Sequence, residues 1–147
     1  MEYLTNHDLF YVNQIVTGTV NTFNYFALEA ASAGQYAYGE STDVPAQAAT
    51  LLDRLLHKTP FMNGNRRTAY IAMLTFLNAN GYATTADDDE AVRLLNSVLA
   101  RRTSALDMVH ALAAPAKESL TAIPMRQLIT HECNHHARAL ALLADGD

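Results

Sequence analysis

The chain has little with which to hold itself together except a core. Its 147 residues include one cysteine, Cys133, no tryptophan and four prolines. A lone cysteine makes no internal disulfide, which excludes the small disulfide-stapled scaffolds and fits a reducing compartment. The opening residues MEYLTNHDLF lack a basic region followed by an apolar run, so a cytoplasmic protein is expected. Positive charge is scarce too: ten Lys and Arg stand against fifteen Asp and Glu, a formal charge of −5. That balance argues against a nucleic-acid surface, whose affinity rests on basic residues. Uninterrupted apolar runs approaching the roughly 18 to 20 residues that cross a bilayer are missing as well, so no membrane span is expected. A chain of this length fits one domain, 1–147.

What is present is helical periodicity. Thr5 with Asp8 has the form of a capping box, followed by Leu9, Val12, Ile15 and Val16 on one stripe and a stop at Gly18. A second helix is expected through NTFNYFALEAASA up to Gly34, then an exposed loop or short hairpin over QYAYGESTDVP. Asp43 and Pro45 open a third helix ending near Lys58, with Ala48, Leu51, Leu52, Leu55 and Leu56 at helical spacing. RRTAYIAMLTFLNANG is apolar on nearly every face and belongs at the centre. Asp87 with Glu90, and Ser104 with Asp107, cap two further helices, the latter reaching Pro115, and a last helix runs from about Ile123 through MRQLITHECNHHARALALL. The expected fold is all-α, a bundle of six to seven helices. The acidic run Asp87–Glu90 reads as a complement to a helix dipole, and Cys133 as a small helix-surface side chain.

The stretch HKTPFMNGNRRTAY, residues 57–70, carries the chemistry. Gly64 lies between Asn63 and Asn65, with Arg66 and Arg67 opening a helix. A helix start offers unsatisfied N–H groups and the positive end of its dipole, and guanidinium groups grip oxyanions at two points. The segment is therefore a candidate anion cradle; the alternative is an Asn-Gly turn followed by two solvated arginines.

Pro60-Phe61-Met62-Asn63-Gly64-Asn65-Arg66-Arg67-Thr68-Ala69 resembles the signature H-P-F-x-D-G-N-K-R-T-A of the Doc branch of the Fic/Doc (death-on-curing) family, with seven positions identical and Arg66 in place of a lysine. YLTNHDLFYVNQIVTG, ALEAASA and TFLNANGY extend the likeness over roughly residues 1–115, leaving 116–147 as an additional C-terminal helix. The resemblance implies a Fic fold in which Phe61 anchors the loop, Gly64, Asn65, Arg66 and Arg67 hold the phosphates of ATP or a related nucleotide, and the loop from Gln35 to Pro45 is a flap that positions a target segment. It also implies transfer of AMP or phosphate to a protein hydroxyl, in the Doc branch on elongation factor Tu, and an antitoxin-like protein as partner.

Two positions depart from the signature. Thr59 stands where the family has its histidine base, and Asn63 where it has its Mg²⁺-binding aspartate. A threonine hydroxyl is no base near neutrality, and general-base assistance is worth about 10² to 10⁴ in rate. An amide oxygen is a poorer Mg²⁺ ligand than a carboxylate. His57, two residues before Thr59, lies about 200° round a helix from it and so points elsewhere, unless the chain unwinds ahead of Pro60. It reads either as a substitute base or as a helix-end histidine favoured by the dipole.

HECNH, residues 131–135, matches the H-E-x-x-H spacing that places His131 and His135 on one helix face for zinc. A third ligand is not evident in the sequence, so this is read as the polar face of a helix whose Leu128, Ala137, Leu140 and Leu143 pack inward or support an oligomer. The leading functional expectation is a Doc-like protein of toxin-antitoxin type that binds nucleotide phosphate, with Mg²⁺ weakened by Asn63, and is weak or inactive as a transferase. The alternatives are an active kinase or AMP transferase acting on a translation factor, and a non-catalytic interaction module.

Overall fold

The computed structural model describes residues 1–117 and 123–147. Among these residues the chain forms eight α-helices and one small sheet. The helices are α1 (Asn6–Thr17), α2 (Tyr25–Ser32), α3 (Val44–Lys58), α4 (Asn65–Ala79), α5 (Asp88–Leu99), α6 (Ala105–Leu112), α7 (Met125–His135) and α8 (Ala137–Ala144). Strands β1 (Tyr82–Thr84) and β2 (Ala113–Pro115) pair antiparallel, Ala83 opposite Ala114. No helix among the described residues is long and apolar enough to cross a membrane.

The caps act where the sequence places them. Thr5 Oγ1 accepts the Asp8 N–H while an Asp8 oxygen accepts the Thr5 N–H, closing the capping box. Asp43, Asp87 and Ser104 each accept the N–H three residues on, from Ala46, Glu90 and Asp107. α4 is the central helix, with every residue from Thr68 to Leu77 buried. α3 makes the broadest packing against it, and α1 and α7 cover other sides. Leu51, Leu52, Leu55 and Leu56 of α3 meet Ile71, Leu74 and Phe76 of α4 in one continuous core. Burying a side chain of this size contributes about 1.5–3 kcal/mol each, which fixes α4 and with it the loop that precedes it.

Several expectations are corrected in detail. α2 begins at Tyr25, not Asn21, because the Asn24 side chain caps it by accepting the Ala27 N–H while Phe23 pairs with Phe61. Of the two forms expected near residue 40, the loop is the one present, carried by a 3₁₀ turn (Ala33–Gln35) and a turn at Tyr38–Gly39. α6 stops at Leu112 and the chain turns into β2. The last helix is two helices, broken at His136 (φ −115°, ψ 32°). Ile15, expected on the buried stripe of α1, is exposed, whereas Asn13 is buried there. Cys133 is buried, not on the surface, and burial pushes its thiol up to about 11. Residues 118–122 of the expected 116–147 extension lie outside the described residues.

Candidate functional site: an anion cradle at the start of the central helix

α3 ends at Thr59, whose left-handed backbone (φ 42°, ψ 61°) turns the chain into Pro60, a residue that cannot continue the helix. The loop that follows is fastened from both sides. Pro60 O accepts the Asn24 N–H at 2.8 Å and Thr22 O accepts the Met62 N–H at 3.0 Å. Phe61 is buried, with its ring 6.0 Å from that of Phe23. Within the loop, Asn65 closes a ring: its Oδ1 accepts the Phe61 N–H at 3.0 Å and its Nδ2 donates to Phe61 O at 2.7 Å. The Asn65 side chain thus faces back into the loop and shapes it.

Gly64 turns the chain into α4 at φ 81° and lies hard against α1. A Cβ there would fall 2.3 Å from Thr17 Cγ2, so the position needs glycine both for conformation and for space. Beneath it is a buried polar cluster. Asn13 Nδ2 donates to Asn63 O at 2.8 Å and to Thr68 Oγ1 at 3.1 Å, while Asn21 Nδ2 donates to Asn13 Oδ1 at 3.0 Å. Buried polar groups stabilise only when paired, and here the pairing fixes the loop backbone to α1 and α4.

At the end of this loop, three donors converge. The Arg66 and Arg67 backbone N–H groups and Arg67 Nε all point at one carboxylate, that of Asp147. Oδ1 accepts from Arg66 N at 2.8 Å; Oδ2 accepts from Arg67 N at 3.1 Å and Arg67 Nε at 2.9 Å. Arg67 Nη1 also donates to Val16 O at 2.9 Å, which holds the guanidinium in place. The Asp147 side chain is only 3% exposed. The donors of this helix start are thus paired with an oxyanion supplied by the chain itself.

The other expected site residues lie around this point. Thr59 and Asn63 are exposed at the two ends of the loop. His57 turns away to α5, with Nδ1 3.0 Å from Asp53 O and Nε2 3.4 Å from Leu99 O. The donor set suits an oxyanion but not a dication: Asn63 offers a neutral amide where a hard Mg²⁺ gains most from a carboxylate.

The HECNH segment is a structural corner whose middle is not the polar face expected. Glu132 is buried, accepting from Asn78 Nδ2 at 2.7 Å, with its Oε2 3.3 Å from His136 Nε2. His136 Nδ1 is 2.8 Å from Asp88 Oδ1. His131 and His135 are exposed with their rings stacked 5.6 Å apart, and among the described residues no group of three or more His, Cys, Asp or Glu is placed to hold a metal ion. Of the side chains that build the cradle, sequence reasoning missed Asn13, Asn21 and Asp147. Asn13 left a signal, a polar residue on the stripe of Leu9 and Val12; Asp147 left none.

Comparison with known proteins follows the same segment. Residues 3–77 match the family model described as the Fic/DOC family. Toxin Doc of Mycolicibacterium smegmatis is 35% identical over 107 residues, covering 68% of this chain and 82% of that protein. No solved structure matches significantly.

Proposed function

The chain belongs to the Fic/DOC family, and from that premise we propose that it is a Doc-like protein of toxin-antitoxin type that holds a nucleotide phosphate and transfers it weakly or not at all. The observation that carries the reading is the grip of the Arg66 and Arg67 amides and the Arg67 guanidinium on one carboxylate. A phosphate presents the same feature, paired oxygens with negative charge, to the same donors. ATP is the ligand proposed, and an antitoxin-like protein the partner.

Within this site the roles divide by chemistry. Gly64 admits the ligand to the backbone, Arg66 and Arg67 hold the phosphate, and Asn65 with Phe61 keeps the loop in shape. Proton removal from an attacking hydroxyl has no base at Thr59, and His57 is held against Leu99 on α5. Asn63 gives Mg²⁺ no anionic oxygen, so no step is routed through the metal.

Calorimetry with ATP tests the binding half of the proposal. Finite affinity is expected, and Arg67→Ala should weaken it roughly tenfold or more through loss of charge-assisted hydrogen bonds. Absence of ATP binding by both the unaltered chain and Asp147→Ala overturns it. For transfer, ATP labelled at the α- or γ-phosphate is incubated with elongation factor Tu. The unaltered chain should transfer little, and Thr59→His with Asn63→Asp should transfer at least about 10²-fold faster. Robust transfer by the unaltered chain overturns the inactive reading.

A further inference from the structure

We propose that His131 and His135 of α7 form a two-point site for a divalent cation of the zinc class, at a cavity that shares no residue with the cradle of α4. The inference stands independently of the phosphate reading above.

Histidines four residues apart lie one above the other on a helix, and here their ring centres are 5.6 Å apart. Zinc held by two imidazole nitrogens at about 2.0–2.1 Å keeps the ring centres roughly 5 Å apart, so the pair already stands close to the separation that chelation needs. The rings are near parallel, at 14°, and each has to turn about its side-chain bonds to bring a nitrogen to a shared point; both are exposed, which permits the turn.

The surroundings favour a cation. His131, Glu132, His135 and His136 line one cavity of about 210 Å³ together with Asn78 and Thr84. Glu132 is buried, and its carboxylate responds to charge at His131. Its oxygens are taken by Asn78 and His136, so it acts as a charge and not as a ligand. Two carboxylates, Glu132 and Asp88, face the single imidazole of His136, which leaves the corner beneath the pair net negative. Three protein ligands do not converge among the described residues. The site is therefore not a catalytic or structural zinc centre; it is an exchangeable one whose other positions are held by water.

The competing explanation is that the stacked pair is only a solvated helix face. Calorimetry with Zn²⁺ is run on the unaltered chain, His131→Ala, His135→Ala, the double variant, and His110→Ala as a control on exposed α6. The unaltered chain should bind one Zn²⁺. Each single variant should weaken binding at least about tenfold, because the second imidazole acts at a high effective concentration once the first is bound. The double variant should lose binding and His110→Ala should keep it. A large excess of Mg²⁺, a hard ion that prefers oxygen, should not displace the Zn²⁺. Saturating Zn²⁺ should also slow hydrogen exchange at the His135 and His136 amides, since the metal closes the turn that the His136 N–H to Glu132 O bond spans. No saturable Zn²⁺ binding by the unaltered chain, binding that survives in the double variant, or displacement by Mg²⁺ overturns the proposal. Binding that leaves exchange at His135 and His136 unchanged places the ion elsewhere and overturns it too. Thermal melts without metal show whether a variant has lost its fold; His131→Asn and His135→Asn then replace the alanine variants and should weaken binding in the same way.

Discussion

At the scale of single residues, the turn into the cradle depends on two left-handed positions of opposite character. Gly64 adopts φ 81° at no steric cost, whereas Thr59 adopts φ 42° with a β-branched side chain, a conformation that costs about 1–2 kcal/mol. Pro60 explains why α3 ends at Thr59, since the residue before proline is pushed out of right-handed helical geometry; the left-handed angles belong to the turn that ends the helix. Asparagine visits this region readily and is a common helix terminator. Thr59→Asn should therefore raise stability by about 1 kcal/mol, seen as a higher urea midpoint with unchanged slope. A lower midpoint would mean that the threonine side chain makes a contribution larger than its strain. The glycine was legible in the sequence because Asn-Gly-Asn marks a turn; the strained threonine was not, because only the fold reveals its φ.

Among the elements, the corner between α7 and α8 carries the clearest electrostatics. His136 lies buried between Glu132 of α7 and Asp88 of α5, with the Tyr70 ring of α4 edge-on to it and Asn78 of α4 on Glu132. The exposed His135 ring stands beside it, and His131 adds its charge near Glu132. Burial disfavours the charged imidazole, but hydrogen bonds to Glu132 and Asp88 and their charges outweigh it, so the His136 pKa stands above its ordinary value. For Glu132, burial again opposes charge, yet hydrogen bonds from His136 and Asn78 and the nearby histidines hold its pKa below the ordinary value. A raised histidine stabilises fully below its unfolded pKa, near 6.5, and that contribution fades as pH rises through the folded pKa. A lowered glutamate stabilises above its unfolded pKa, near 4.5, and loses this as pH falls through the folded pKa. The corner is thus strongest between these two unfolded values. His136→Gln, which leaves two carboxylates facing a neutral amide, should cost about 3 kcal/mol near pH 5.5 to 6. Denaturant titrations across pH should show that difference shrinking as pH rises past the imidazole's folded pKa; a difference independent of pH would place the pair's role in packing alone. Little of this was legible. Thr5, Asp43, Asp87 and Ser104 announce their helices because a cap and its partner lie three residues apart. Asp88 and His136 meet across 48 residues, and β1 and β2, three residues each, are too short for any periodicity to register.

For the whole molecule, the consequence is uneven stability around a rigid centre. α4 is sealed by α1, α3 and α7, and its first turn is the cradle, so the site inherits the firmness of the core. α8 sits at the other extreme, held by two buried side chains, one corner and one carboxylate at the far end. The same asymmetry explains what the sequence could disclose about the site: loop and helix start are contiguous, while the group that fills the cradle arrives from 80 residues away. Native-state hydrogen exchange at increasing denaturant should separate the two regions. Amides of Ala69 to Leu77 are expected to exchange only through global unfolding. Amides of α8 should exchange through a partial opening about 2 kcal/mol or more below it, with little denaturant dependence. In Asp147→Ala the α8 opening should become easier still while the α4 amides keep the global isotherm. If α8 and α4 instead share one isotherm in the unaltered chain, the segment unfolds only with the core, and the few buried side chains of α8 do not set its stability apart.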